Sequence, residues 1–265
     1  MNSRTSPRVR ALRQLHQPAS RREQGRILIE GPDLLSAAIA APVPVEEVLF
    51  TPAAQARMPE LIARAQASGS ECVQVSDAVM AVLAQTQAPQ GIAAVCRWSP
   101  AGAEGAFRSA TGTIVLESVS DPGNAGTIIR TADAVGLAAV LLTEGSVDPT
   151  NGKCLRASAG SIFHLAVSSG VDLGHVLELA RRAGQQVVGA TADASLDLFD
   201  WIRQRDRRRG VCWVLGSESR GLSQHARQLA DELVRIPMAG RAESLNVASA
   251  AAVCLYADFA GGMEH

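Results

Sequence analysis

A chain of 265 residues, 47% apolar and 19% charged, is long enough for two domains and apolar enough to fill their cores, which excludes a disordered or fibrous protein. Its 25 basic and 26 acidic residues leave a net charge of −1, so a polyanion would be met by a local patch and not by the whole surface. The longest nearly apolar run, Val247 to Ala257, is far short of the ~20 residues a bilayer span needs. Arg4, Arg8, Arg10, Arg13, Arg21, Arg22 and Arg26 interrupt any secretory apolar segment, so the chain reads as cytoplasmic with no membrane partner. Cys72, Cys96, Cys154, Cys212 and Cys254 are odd in number and form no C-x-x-C pair, as expected of reduced, buried thiols. Lys153 is the single lysine in an alanine-rich chain, which points to the coding bias of a GC-rich genome; arginine abundance alone therefore carries little functional weight.

The predicted elements begin with a strand over Arg26 to Glu30 and a helix from near Pro32. A strand over Val45 to Phe50, a helix through Leu61 and Ile62, a strand over Glu71 to Val75, a helix over Asp77 to Leu83 and a strand over Gly91 to Cys96 follow. This is one small α/β domain, placed at residues 1–97. The stretch from Ser99 to Gly105 is rich in helix and strand breakers and marks a linker, 98–110. The second domain, 111–265, alternates helical stretches with apolar runs at Thr113 to Val119, Ala138 to Leu142, Phe163 to Val167, Gln186 to Ala190, Val211 to Leu215 and Leu233 to Ile236. That pattern predicts a mostly parallel sheet covered on both faces. Ligands of such sheets sit beyond the carboxyl ends of the strands, which directs attention to the loops after Val119, Ala190, Leu215 and Ile236.

Three of these loops carry residues that packing does not require. In the first, Asn124 is expected to cap a helix from Ala125 to Val135 that ends at Gly136, with Arg130 left off the apolar side made by Ile128, Ile129, Ala132 and Val135. In the second, Gly216 to Leu222, a carboxylate stands at the end of a strand, where Glu218 reads either as a functional group or as a cap of the following helix. In the third, Ser244 is the expected cap of the last helix, which leaves Asn246 in its first turn unexplained. Asn124, Arg130, Glu218 and Asn246 are thereby expected at one edge of one sheet. His16, His164, His175, His225 and His265 are scattered without partners at ligand spacing, so no metal site is predicted. A Gly-x-Ser-x-Gly turn is also missing, which leaves a covalent acyl-enzyme unsupported.

The segments Asn124-Ala-Gly-Thr-Ile-Ile-Arg-Thr-Ala132, Leu215-Gly-Ser-Glu-Ser-Arg-Gly-Leu-Ser223, Ile236-Pro-Met238 and Ser244-Leu-Asn-Val247 resemble, in order, the three motifs of the SpoU (TrmH) RNA ribose 2'-O-methyltransferases of the SPOUT superfamily. Val147 to Ser161 is similar to that family's inter-motif segment, with Gly152 where a proline is common, and the N-terminal domain resembles the family's L30e-like RNA-binding domain. The resemblance implies an α/β fold whose C-terminal parallel sheet carries a deep trefoil knot, S-adenosyl-L-methionine as methyl donor, and a homodimer. By position it implies that Thr191, Gly216, Ile236 and Leu245 contact the donor and that Arg130, Glu218, Ser244 and Asn246 line the reaction centre. Asn124 would organise the first loop, and the arginine of this family often works across the subunit interface. The substrate it implies is RNA, ribosomal RNA of the 23S type first and transfer RNA second.

Seven arginines against the single acid Glu23 make residues 1–26 suited to phosphate contacts, with a disordered tail as the competing reading. Arg8, Arg10, Arg21 and Arg22 are the candidate RNA contacts there, joined by Arg156 in the inter-motif segment. The run Arg203 to Arg209 reads mainly as a solvated turn. Two other classes compete with a methyltransferase. Gly123 and Gly126 after a strand, with Glu144 ending the next, fit a Rossmann-type NAD enzyme except that Gly-x-Gly-x-x-Gly is incomplete. A non-catalytic RNA-binding protein is the other, against which intact Arg130, Glu218 and Asn246 count.

Overall fold

The computed structural model describes residues 3–107 and 112–262, so residues 108–110 of the expected linker lie outside the described residues. The chain forms two compact units, one of residues up to 99 together with 150–164, the other of residues 100–149 and 165 onward. No helix among the described residues is long and apolar enough to cross a membrane.

The first unit opens with the helices Pro7–Gln14 and Pro18–Gln24, both started by proline, which needs no N–H partner in the first turn. Ser6 caps the first of them by accepting from the Val9 amide at 3.3 Å. Val9, Leu12 and Leu15 are buried against Val79, Met80 and Leu83. The arginine-rich segment is thus folded from Pro7 onward and is not a disordered tail. Behind it stand β1 (Arg26–Glu30), β2 (Val45–Phe50), β3 (Glu71–Gln74) and β4 (Ile92–Arg97) in the order β1-β4-β2-β3, with β2 and β3 parallel and the other pairs antiparallel. These bounds match the apolar runs to within a residue or two at each end.

The N-terminal arginines divide by what they touch. Arg8 lies 3.0 Å from Glu47 and 2.8 Å from Glu71, and Glu47 is held above the usual carboxylate range chiefly by burial. Arg21 is buried and donates to Thr150 Oγ1 at 2.8 Å and to the carbonyls of Leu15 and His16 at 3.0 and 2.8 Å, so it ties the turn between the helices from inside. Arg10 and Arg22 stay exposed.

His16 in that turn donates Nε2–H to the Leu83 carbonyl at 3.0 Å, and burial lowers its pKa below the ordinary 6.5. The unfolded chain therefore takes up this proton more readily than the folded one. The associated stability is present above pH 6.5 and is lost as pH falls through the unfolded value toward the folded one. Urea midpoints between about pH 7.5 and about pH 5 should fall for the wild type and fall less for H16Q; parallel slopes would contradict this assignment.

Residues 150–164 cluster with this first unit although they lie between strands of the second. Gly160, at φ +97°, permits the approach, since a Cβ there would stand 2.4 Å from the Ala37 side chain.

The second unit contains β5 (Thr113–Glu117), β6 (Ala139–Thr143), β7 (Ala166–Val171), β8 (Gln186–Ala190), β9 (Leu196–Asp197), β10 (Val211–Gly216) and β11 (Glu232–Arg235). They form one sheet in the order β7-β6-β5-β10-β8-β11-β9, with every pairing parallel. Val115, Leu141, Val187 and Val214 pack beneath Val176 and Leu177 of the Leu173–Arg182 helix. Phe163, expected at the start of a strand, instead closes the turn Ser161–Phe163, and the two-residue β9 carries no periodicity that could reveal it. Of the described linker residues, 98 and 99 stay with the first unit and 100–107 join this one: the Ala101 amide donates to the Val167 carbonyl at 3.2 Å, and Ala106 is buried.

The strand order disposes of the dinucleotide-binding reading. Leaving out β9, the strands stand third, second, first, fifth, fourth, sixth, because β10 inserts between β5 and β8, whereas the Rossmann order sets the fourth beside the first. Gly123 and Gly126 lie inside the helix Pro122–Ala134, Gly126 buried, and not in a phosphate-binding turn.

In the arginine run before β10, Arg203, Arg208 and Arg209 are exposed as expected of a solvated turn, but Arg205 and Arg207 are not. Arg205 is 8% exposed, lies 2.5 Å from Asp258 and stacks 5.6 Å from the Trp201 ring centroid. Arg207 donates to the carbonyls of Ile202 and Asp258 at 2.7 and 3.2 Å. These arginines fasten the last helix, Val247–Gly261, to its neighbour Leu198–Gln204.

Candidate functional site

The helix Pro122–Ala134 starts three residues earlier than its apolar pattern indicates. Asp121 is the cap, accepting from the Asn124 amide at 2.9 Å, and Pro122 occupies the first helical position. Asn124 is therefore not the cap, and its side-chain amide is left to other partners. The last helix shows the converse. Asn246, not Ser244, caps it, its Oδ1 accepting from the amides of Ala248 and Ser249 at 2.9 and 3.4 Å. Ser244 lies in the preceding loop.

The two asparagines meet a carboxylate from the loop after β10. Asn246 Nδ2 donates to Asn124 Oδ1 at 3.1 Å, and Asn124 Nδ2 donates to Glu218 Oε1. Each end of the Asn124 amide thus serves a different loop. The Glu218 loop depends on two glycines: a Cβ on Gly216 would fall 2.1 Å from the Gly221 backbone, and Gly221, at φ +63°, donates its amide to the Ser217 carbonyl at 2.8 Å. The following helix, Gln224–Leu229, is capped by Ser223, whose own amide donates to Glu117 Oε2 at 2.9 Å. Glu218 is therefore free of capping duty, and the role held open for it falls to Ser223.

Beside this cluster, at the carboxyl ends of β8, β10 and β11, lies a cavity of about 370 Å³. Thr191, Gly216, Ile236 and Leu245 all line it, together with Glu218 and Ser244. Asn124 and Asn246 adjoin it through Glu218. Arg130 does not join: it is exposed on the Pro122–Ala134 helix, with no hydrogen bond or ion pair to the other described residues. The lining also includes Asp193, Arg227, Met238 and Glu243, which sequence reasoning did not single out. Arg227 donates from Nη1 to Asp193 Oδ2 and from Nη2 to Asp193 Oδ1, both at 2.9 Å, and from Nη2 to Thr191 Oγ1 at 2.8 Å. That bidentate hydrogen bonding, assisted by the Thr191 hydroxyl, holds the Asp193 carboxyl down at about 2. Partners 34 residues apart, one on a helix and the other in a loop, leave no local signal.

Comparison with known proteins bears on what such a site handles. The SpoU rRNA Methylase family matches residues 112–256, and an MRM3-like substrate binding domain matches residues 6–94. The chain is 37% identical to an uncharacterized tRNA/rRNA methyltransferase of Synechocystis over 97% of its own length and 92% of the relative's. It is 34% identical to the 23S rRNA (guanosine(2553)-2'-O)-methyltransferase RlmP of Bacillus subtilis, over 97% of each chain. Among solved structures, the AdoMet-bound rRNA methyltransferase of Sinorhizobium meliloti superposes with a TM-score of 0.85 at 28% identity, over 97% of this chain and 96% of that one. The SpoU methyltransferase AviRb of Streptomyces viridochromogenes in complex with AdoMet gives 0.85 at 28% identity, over 97% and 98%.

Proposed function

The chain belongs to the SpoU rRNA methylase family, and from that premise we propose that it transfers a methyl group from S-adenosylmethionine to a ribose 2'-hydroxyl of RNA, ribosomal RNA of the 23S type first. The observation that carries this reading is the joining of three separated segments, the start of one helix, the loop after β10 and the cap of the last helix, by Asn124, Glu218 and Asn246 beside one cavity.

The cavity has the chemistry that the methyl donor needs. Met238 and Leu245, each 38% exposed, offer an uncovered apolar wall suited to an adenine ring, and Glu218 and Glu243 bring carboxylates toward cationic sulfonium and ammonium groups. Thr191, Gly216, Ile236 and Leu245 are the proposed donor contacts. When bound, S-adenosylmethionine supplies an electrophilic methyl group on a sulfonium. The protein must then align the ribose oxygen with that carbon and sulfur and assist loss of the hydroxyl proton. Arginine stays protonated in proteins, so Arg130 acts by holding an adjacent phosphate and by stabilising negative charge that develops on the oxygen. Ser244 and the asparagine–glutamate cluster keep the loops in register for that alignment.

Arg130 is proposed to reach the centre of the partner in a homodimer. Exposed Tyr256 and Phe259, stacked edge to face on the last helix, and exposed Phe199 on the neighbouring helix support such an apolar contact surface. The trefoil knot implied by the family remains part of the proposal, with the insertion of β10 between β5 and β8 in its favour. A cytoplasmic location is proposed on the unpaired cysteines, of which Cys96, Cys212 and Cys254 are pushed up to about 12 by burial and so kept as thiols.

Mapping ribose methylation in ribosomal and transfer RNA from cells with and without the gene, alongside methyl incorporation by the purified protein, tests the reading. A position in ribosomal RNA that loses its methyl group is expected. Loss confined to transfer RNA would move the substrate, and no incorporation into either RNA would end the proposal. The donor site has its own check: because Arg227 orders the Thr191–Asp193 loop, R227A should weaken S-adenosylmethionine binding in calorimetry by about tenfold. Unchanged binding would remove Arg227 from the site.

A further inference from the structure

Within the first unit, a second cavity of about 300 Å³ opens at the end of β1, lined by Glu30, Gly31, Asp33, Thr86, Gln90 and Arg156 among others. Its charged groups are not equivalent. Each oxygen of the Glu30 carboxylate already has a donor from the protein: Oε2 accepts from the Gln85 amide at 3.0 Å, and Oε1 accepts from the Thr86 hydroxyl. Glu30 also stands 3.6 Å from Arg156 Nη1, close enough to orient the guanidinium but too far to consume its N–H groups in a hydrogen bond. Arg156 remains one-third exposed, with no hydrogen bond to the other described residues. Asp33, in the first turn of the Pro32–Ala40 helix, is exposed and has neither a hydrogen bond nor an ion pair among the described residues. Gly31 starts that helix without a side-chain cap.

One cavity therefore presents a free carboxylate and an oriented guanidinium that do not satisfy each other. A phosphate suits it poorly, since Glu30 and Asp33 would repel an anion. A heterocycle carrying adjacent donors beside an acceptor suits it well. We propose that this cavity is a nucleobase subsite for guanine, in which Asp33 accepts from the N1–H and N2–H groups while Arg156 donates to O6. The proposal rests on the reading of the chain as an RNA-modifying enzyme and adds a base-reading site in the unit that does not hold the methyl donor.

The test uses the full chain, with the methyl-donor cavity filled by S-adenosylhomocysteine so that nucleosides cannot enter it. Guanosine, inosine and adenosine are titrated and followed by the amide resonances of Gly31, Asp33 and Gln90. Guanosine is expected to shift these signals. Inosine, lacking the N2 amino group, should bind more weakly, and D33N should weaken guanosine by about tenfold while leaving inosine less affected. Equal shifts with adenosine, shifts confined to other residues, or an indifferent D33N would overturn the subsite. Methylation of ribosomal RNA by the wild type is scored separately: methylation without a guanosine response sinks only the subsite. A guanosine response without methylation sinks the proposed activity and leaves the subsite standing.

Discussion

R130A should lose methylation by at least about a hundredfold while binding S-adenosylmethionine as the wild type does. The asymmetry follows from where the residue stands. Arg130 is exposed, does not line the 370 Å³ cavity and has no polar contact with the other described residues, so removing it leaves the donor site and the fold untouched. Its contribution arises only when RNA brings a phosphate and a reacting oxygen within reach, which is the condition under which a loss appears in turnover and not in donor affinity. R130K separates charge from geometry. A lysine keeps the charge but not the planar fork, so a large residual defect in R130K would assign the role to bidentate phosphate holding. The subunit that supplies the arginine can be read by mixing. If Arg130 serves the partner's site, combining inactive R130A and inactive E218A protomers restores activity, because a mixed dimer contains one site with both groups intact. If it serves its own site, the mixture stays inactive. Calorimetry showing donor affinity lost together with activity, or wild-type turnover in R130A, would place the residue elsewhere.

What the sequence made legible, and what it hid, divides along a physical line. Strands such as Val45–Phe50 and Gln186–Ala190 are apolar runs bounded by breakers, and their burial is a local property that pattern reveals. The gathering of Thr191, Gly216, Ile236 and Leu245 around one cavity followed from the rule that parallel sheets bind beyond their carboxyl ends and from the family resemblance. The caps are not legible from residue type, because the chain offers two good capping residues at each place. Asp121 and Asn124 both qualify, as do Ser244 and Asn246, and the choice depends on where the backbone turns helical and not on residue type. The placement of β10 between β5 and β8, the attachment of residues 150–164 to the first unit, and the Arg227–Asp193 pair are all long-range. No periodicity encodes them.

The reassigned cap supplies the second large effect, because Asn246 performs two tasks that one substitution can separate. Its Oδ1 accepts from the Ala248 and Ser249 amides, and its Nδ2 donates to Asn124, which in turn donates to Glu218. N246A removes both functions. It should destabilise the fold by about 1 kcal/mol through the lost cap and reduce turnover through the loosened loops. N246D keeps an oxygen for the helix, so stability should stay near that of the wild type. It also deletes the donor that Asn124 uses and introduces a second carboxylate near Glu218. Methylation by N246D should therefore fall by about a hundredfold with an unchanged urea midpoint, a split that a purely structural role for Asn246 does not allow. The Asn124 amide must then reorient or leave its Oδ1 without a donor, so E218Q, which restores a neutral pairing partner, should recover part of the N246D loss. Replacing one of two neighbouring carboxylates with an amide removes their mutual repulsion. N246D turning over at the wild-type rate would show that the cluster joins the loops without contributing to methyl transfer. N246D and N246A losing stability equally would instead return the cap to another residue.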